Sequence, residues 1–97
     1  MKFRYHQQLS ELSCALFILK ELCFRLETWI HYPNDYQRQM VYKSLSVWNN
    51  QYQLIKDIKV RWWDFGDKRE LINQIKIYKA TASSFFSKEA AKEYNLL

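Results

Sequence analysis

Ninety-seven residues with 48% hydrophobic and 18% aromatic side chains hold enough apolar surface for one core, which excludes a disordered segment. One glycine and one proline exclude a sheet of tight hairpins, whose turns need residues suited to unusual φ values. Fifteen Lys and Arg against ten Asp and Glu leave a net charge of +5, which favours polyanionic partners or acidic protein faces.

The first element reads as a helix from about Lys2 to Ile30. Leu9, Leu12, Leu16, Leu19, Cys23, Leu26 and Ile30 recur at alternating steps of three and four, the spacing of one helical seam. Ala15, Leu22 and Trp29 flank that seam and widen the buried face. Tyr32-Pro33-Asn34-Asp35 ends the helix, because the residue before proline is pushed out of helical geometry. Asn34 or Asp35 is suited to cap the next helix.

A second helix is expected over about 35–65. Val41, Leu45, Trp48, Tyr52, Ile55 and Trp62 keep the same rhythm, with Lys59 standing where an apolar residue is due and Ile58 beside it. Gly66 then reads as a terminator at the end of this helix, after Phe65. Asp67-Lys68-Arg69-Glu70 has the spacing of a capping box and opens a third helix over about 68–95. Leu71, Ile75, Tyr78, Ala82 and Phe85 form its stripe. Ser87 is placed to cap a separate short helix from Lys88 to Tyr94, so the C-terminal part is either a continuation or a kink with a fourth helix. The expected architecture is all-α: an up-down-up bundle of three helices of similar length, each about 40 Å, in a single domain over 1–97.

Two surface features carry the functional expectations. Lys56, Lys59, Arg61, Lys68, Arg69, Lys76 and Lys79 gather around the second turn beside Trp63. If helices two and three run antiparallel about Gly66, Lys56, Lys59, Lys76 and Lys79 fall level with one another. Such a patch would neutralise phosphates, and Trp63 would stack on an unpaired base. Asp57, Asp64, Asp67 and Glu70 dilute it. Phe17 and Phe24, seven residues apart, lie off the main seam, and together with Trp63 they form surplus apolar surface suited to a protein partner or self-association.

Catalytic and metal chemistry find little footing. His6 and His31 lie at opposite ends of helix one, about 37 Å apart by helical rise. Cys14 and Cys23 are half a turn out of phase on the same helix, too far apart to pair. No metal-binding, phosphate-loop or nucleophile-elbow spacing occurs. Arg25 and His31 form an R-x5-H spacing similar to the Arg-His motif of HEPN-type helical ribonucleases, in which the pair acts on RNA at a dimer interface. The resemblance covers seven residues, sits in the first helix, and has Leu26 where that family usually has a polar residue. On residues alone His31 is a helix-end side chain that complements the carbonyl terminus.

The opening residues lack the apolar stretch of a secretory leader, and the longest apolar run, Cys14 to Leu19, is too short to cross a bilayer. The expectation is a cytoplasmic, non-enzymatic helical subunit of a larger assembly that contacts nucleic acid. It carries no cofactor and no metal. The alternatives are a protein-docking module and, more remotely, a HEPN-like ribonuclease.

Overall fold

The computed structural model describes residues 2–64 and 66–97; Met1 and Phe65 lie outside the described residues, as do the side chains of Lys2 and Phe3. Four helices form: α1 (Lys2–His31), α2 (Asp35–Ile55), α3 (Asp67–Ser83) and α4 (Lys88–Glu93). The chain is all-α, with no strand among the described residues. α1 packs against both α2 and α3 and is the wall they share. Gln51 of α2 donates to the Glu11 carbonyl at 2.9 Å, while Trp29, near the end of α1, meets Tyr42, so α2 descends against α1. Leu9 neighbours Leu71, and Leu26 neighbours Phe85, so α3 ascends beside it. The up-down-up path is therefore as expected.

The seam of α1 is buried as its spacing implies. Leu12, Leu16, Leu19 and Leu26 are buried, and so are Ala15 and Leu22 on the flank toward α2. Two flanks are buried because two helices must be served. Ile30 departs from expectation: it is 62% exposed, on the wall of an open groove that Trp29, Pro33, Ser84 and Phe85 also line. Cys23 is half-buried, its thiol pointing at the Tyr78 carbonyl, and burial pushes that thiol up to about 11. Both cysteines are free.

Side-chain caps set two of the helix starts. The Asn34 side chain accepts from the Gln37 amide at 2.9 Å and caps α2. Ser87 accepts from the Ala90 amide and starts α4, so the chain kinks after Ser83 and adds the short fourth helix. The capping box expected at Asp67 does not form. Gly66 holds the capping position with φ 68° and ψ −126°, Asp67 is already helical, and the first turn has no side-chain cap.

The largest difference lies between α2 and α3. α2 ends at Ile55, about ten residues earlier than its rhythm suggests, so the three helices have 30, 21 and 17 residues and are unequal. Phe65, the expected end of helix two, lies outside the described residues. Gly66 consequently opens α3 rather than closing α2. The apolar rhythm past Ile55 is broken by Lys59, and a helix continued there would carry a charge into the core. Instead Ile58 packs onto the core from a turn, and Trp62, expected inside, is 81% exposed.

The segment after α4 seals the bundle. Trp48 is fully buried and its indole N–H donates to the Asn95 carbonyl at 3.2 Å. Asn95 takes a left-handed φ of 62° and donates its amide to Asn49 at 2.8 Å. Leu96 is buried beside Lys76, Lys79 and Ser83 of α3. The tail therefore bridges α2 and α3.

Candidate nucleic-acid interface

The segment 56–64 cannot satisfy its backbone by helical bonds, and Asp64 supplies the substitute. Its carboxylate accepts from the Arg61 amide at 2.6 Å and from the Lys68 ammonium at 3.2 Å, and its own amide donates to the Arg61 carbonyl at 2.9 Å. Arg69 adds a second brace by donating to the Asp64 carbonyl at 3.1 Å and to the Arg61 carbonyl at 3.4 Å. The Arg61 amide, helped by Lys68, holds the Asp64 carboxyl below the usual carboxylate range, although burial opposes this. The loop is tied to the first turn of α3 at both edges.

That brace decides which side chains reach solvent. Trp62 and Trp63 stand edge to face, ring centres 5.5 Å apart, and Trp63 is 51% exposed. The Arg61 guanidinium lies 5.2 Å from the centre of the Trp63 ring, a cation–π distance. Beside Trp63 is an open cleft of about 290 Å³ lined by Lys59, Arg61 and Trp63 of the loop and by Arg4, Tyr5 and Gln8 of α1. Asp57, Asp64 and Lys68 also reach it. Asp64 and Lys68 neutralise each other, so Arg4, Lys59 and Arg61 stand against Asp57 alone.

The basic residues named from sequence are divided by the early end of α2. Lys59, Arg61 and Lys68 line the cleft with Trp63, whereas Lys76 and Lys79 line a separate groove beside the tail. The single patch of Lys56, Lys59, Lys76 and Lys79 is not assembled; Lys56 sits at the C-cap of α2 and lines neither. Lys68 is buried and ion-paired, which occupies its charge. Arg69 is engaged as a brace. Lys79 lies over the Tyr52 ring at 5.3 Å, and burial, then the neighbouring Lys76, lowers its pKa.

Phe17 and Phe24 are 68% and 61% exposed. They do not share a surface with Trp63. Gln8, which lines the Trp63 cleft, is nine residues from Phe17, about two and a half helical turns, so the two features occupy opposite faces of α1. Arg25 lies against Phe24 and reaches Glu21 at 3.9 Å, while His31 is exposed at the helix end. Six residues along one helix set Arg25 and His31 about 120° apart around its axis. No cluster of three potential metal ligands occurs among the described residues, and no helix there is long and apolar enough to cross a membrane.

Sequence reasoning named the tryptophans and most of the cations but missed Arg4, Tyr5 and Gln8. They are more than fifty residues away along the chain, and only the tertiary fold brings them in. Comparison with protein-family models, with curated proteins and with solved structures finds no match to this chain.

Proposed function

We propose that this protein is a non-enzymatic binding subunit for single-stranded nucleic acid, acting in the cytoplasm as part of a larger assembly. The observation that carries the reading is the braced loop with Trp62 and Trp63 in solvent, edge to face, and Trp63 beside Arg61, Lys59 and Arg4. An exposed indole is a stacking platform for any unpaired base, and the cations around it suit the phosphates on either side. A duplex buries its base faces, so the platform favours single strands. The braces at Asp64, Lys68 and Arg69 hold the site in place before a ligand arrives, which lowers the ordering cost of binding.

The test is fluorescence anisotropy of a labelled eight-nucleotide single strand and a duplex, titrated with protein at about 50 and 200 mM salt. With three phosphates neutralised, single-strand affinity falls about twentyfold over that interval. Trp62→Ala weakens binding about 5- to 100-fold, in line with loss of one stacking contact. Lys59→Ala with Arg61→Ala flattens the salt dependence, while Lys76→Ala with Lys79→Ala leaves it unchanged. Absence of binding at the lower salt, or loss caused only by the Lys76 and Lys79 changes, would reject the site.

A further inference from the structure

We propose that the cleft beside Trp63 selects guanine among the bases of a single strand, with Asp57 as the residue that reads it. The inference rests on the strand-binding reading above and names the base that the cleft accepts. At about 290 Å³ the cleft is at the small end of ligand pockets, which suits one base with its sugar left outside. Trp63 stands on its wall, half exposed, and supplies the aromatic surface on which a base stacks. Arg4, Lys59 and Arg61 share the cleft and are there for the phosphates on either side.

Phosphate binding leaves one group in this cleft without a task, and that group is a carboxylate. Two acidic residues line the cleft, and only one is engaged within the fold. Asp64 is buried and takes the Arg61 amide and the Lys68 ammonium. Asp57 is exposed in the turn after α2, and no ion pair among the described residues holds it. The turn itself is fixed, because the Ile58 amide donates to the Ile55 carbonyl at 3.0 Å and Ile58 packs on the core. A carboxylate standing among three phosphate-binding cations repels a polyanion unless the ligand brings donors to it.

Bases differ in the donors they bring. Guanine alone presents two adjacent ones, N1–H and the 2-amino group, which match the two oxygens of a carboxylate. Adenine and cytosine set one donor beside a bare ring nitrogen, and uracil or thymine sets its single donor between two carbonyls. Each of those edges turns a lone pair toward Asp57. The guanine carbonyl oxygen, next to N1, needs a donor in turn, and the half-buried Gln8 amide and the Arg4 guanidinium line the same cleft. Hydrogen bonds to an ionised acceptor are the strong ones, and a matched pair discriminates about 5- to 150-fold against the wrong base.

Anisotropy titrations of the full chain at about 50 mM salt test the proposal, using eight-nucleotide uridine strands. The central uridine is kept, or replaced by guanosine, adenosine, cytidine or inosine. The guanosine strand is expected to bind about tenfold more tightly than the others. Inosine, which keeps N1–H and the carbonyl but lacks the 2-amino group, loses most of that preference. Asp57→Asn abolishes the preference and tightens the plain uridine strand, because a negative charge has left the path of the phosphates. Circular dichroism confirms that this surface variant is folded. Guanosine monophosphate, with one phosphate for three cations, competes only far above the strand's own concentration range; competition at the strand's affinity would overturn the strand as the source of the guanine. Equal binding of all the central bases, inosine binding as well as guanosine, or tightening of every strand alike by Asp57→Asn would each overturn base selection and leave strand binding in place. Binding by no strand at this salt rejects both readings.

Discussion

Asp64 takes over, for an irregular segment, the work that hydrogen bonds along a helix do elsewhere. Its carboxylate serves the Arg61 amide and the buried Lys68 ammonium together, so removing it leaves both donors without an acceptor. The carboxyl is held below its usual 3.8 in the folded chain. A depressed carboxylate contributes stability that is complete above the unfolded value and is lost as pH falls through the folded one. Thermal melts of the native chain therefore drop steeply below about pH 4, while Asp64→Asn melts lower at neutral pH and declines less on acidification. Equal acid slopes for the two proteins would show that the ion pair is not coupled to folding.

At the scale of elements, the short α2 and the capless start of α3 belong together. Gly66 occupies a backbone conformation with φ 68° that side chains rarely adopt, yet a Cβ there would meet nothing within 4 Å. The cost of Gly66→Ala is therefore one of backbone strain alone, about 1–3 kcal/mol, read from the urea midpoint at unchanged slope. The ends of α1 and the caps at Asn34 and Ser87 were legible in the sequence, because each depends on residues within four positions. The stop at Ile55 was not. Ile58 and Trp62 continue the helical spacing, and the only local dissent is Lys59. What settles the matter is a carboxylate at 64 bonded to the side chain at 68 and to the backbone at 61, a brace that is just as local but, unlike a cap or a proline, follows no recognisable residue spacing. The candidate site inherits that division. Its tryptophans and lysines could be named in advance, but their grouping could not, since it turns on where α2 stops and on which residues of α1 lie beneath the loop.

For the whole molecule, the decisive arrangement is one long helix serving two others, with a short tail stitched across the remaining side. Trp48 is the point where the stitch holds. Trp48→Phe removes the donor to the Asn95 carbonyl and leaves a partial cavity, a loss of about 2–3 kcal/mol in urea unfolding. The same shared wall has a consequence for the order of events during synthesis. α1 emerges first with both flanks bare, and α2 covers one of them soon afterwards. The other flank stays open to water until α3 has emerged, and Trp48 is enclosed only when Asn95 and Leu96 arrive. A chain halted near residue 66 thus presents a half-covered row of leucines, the kind of surface that holding chaperones engage.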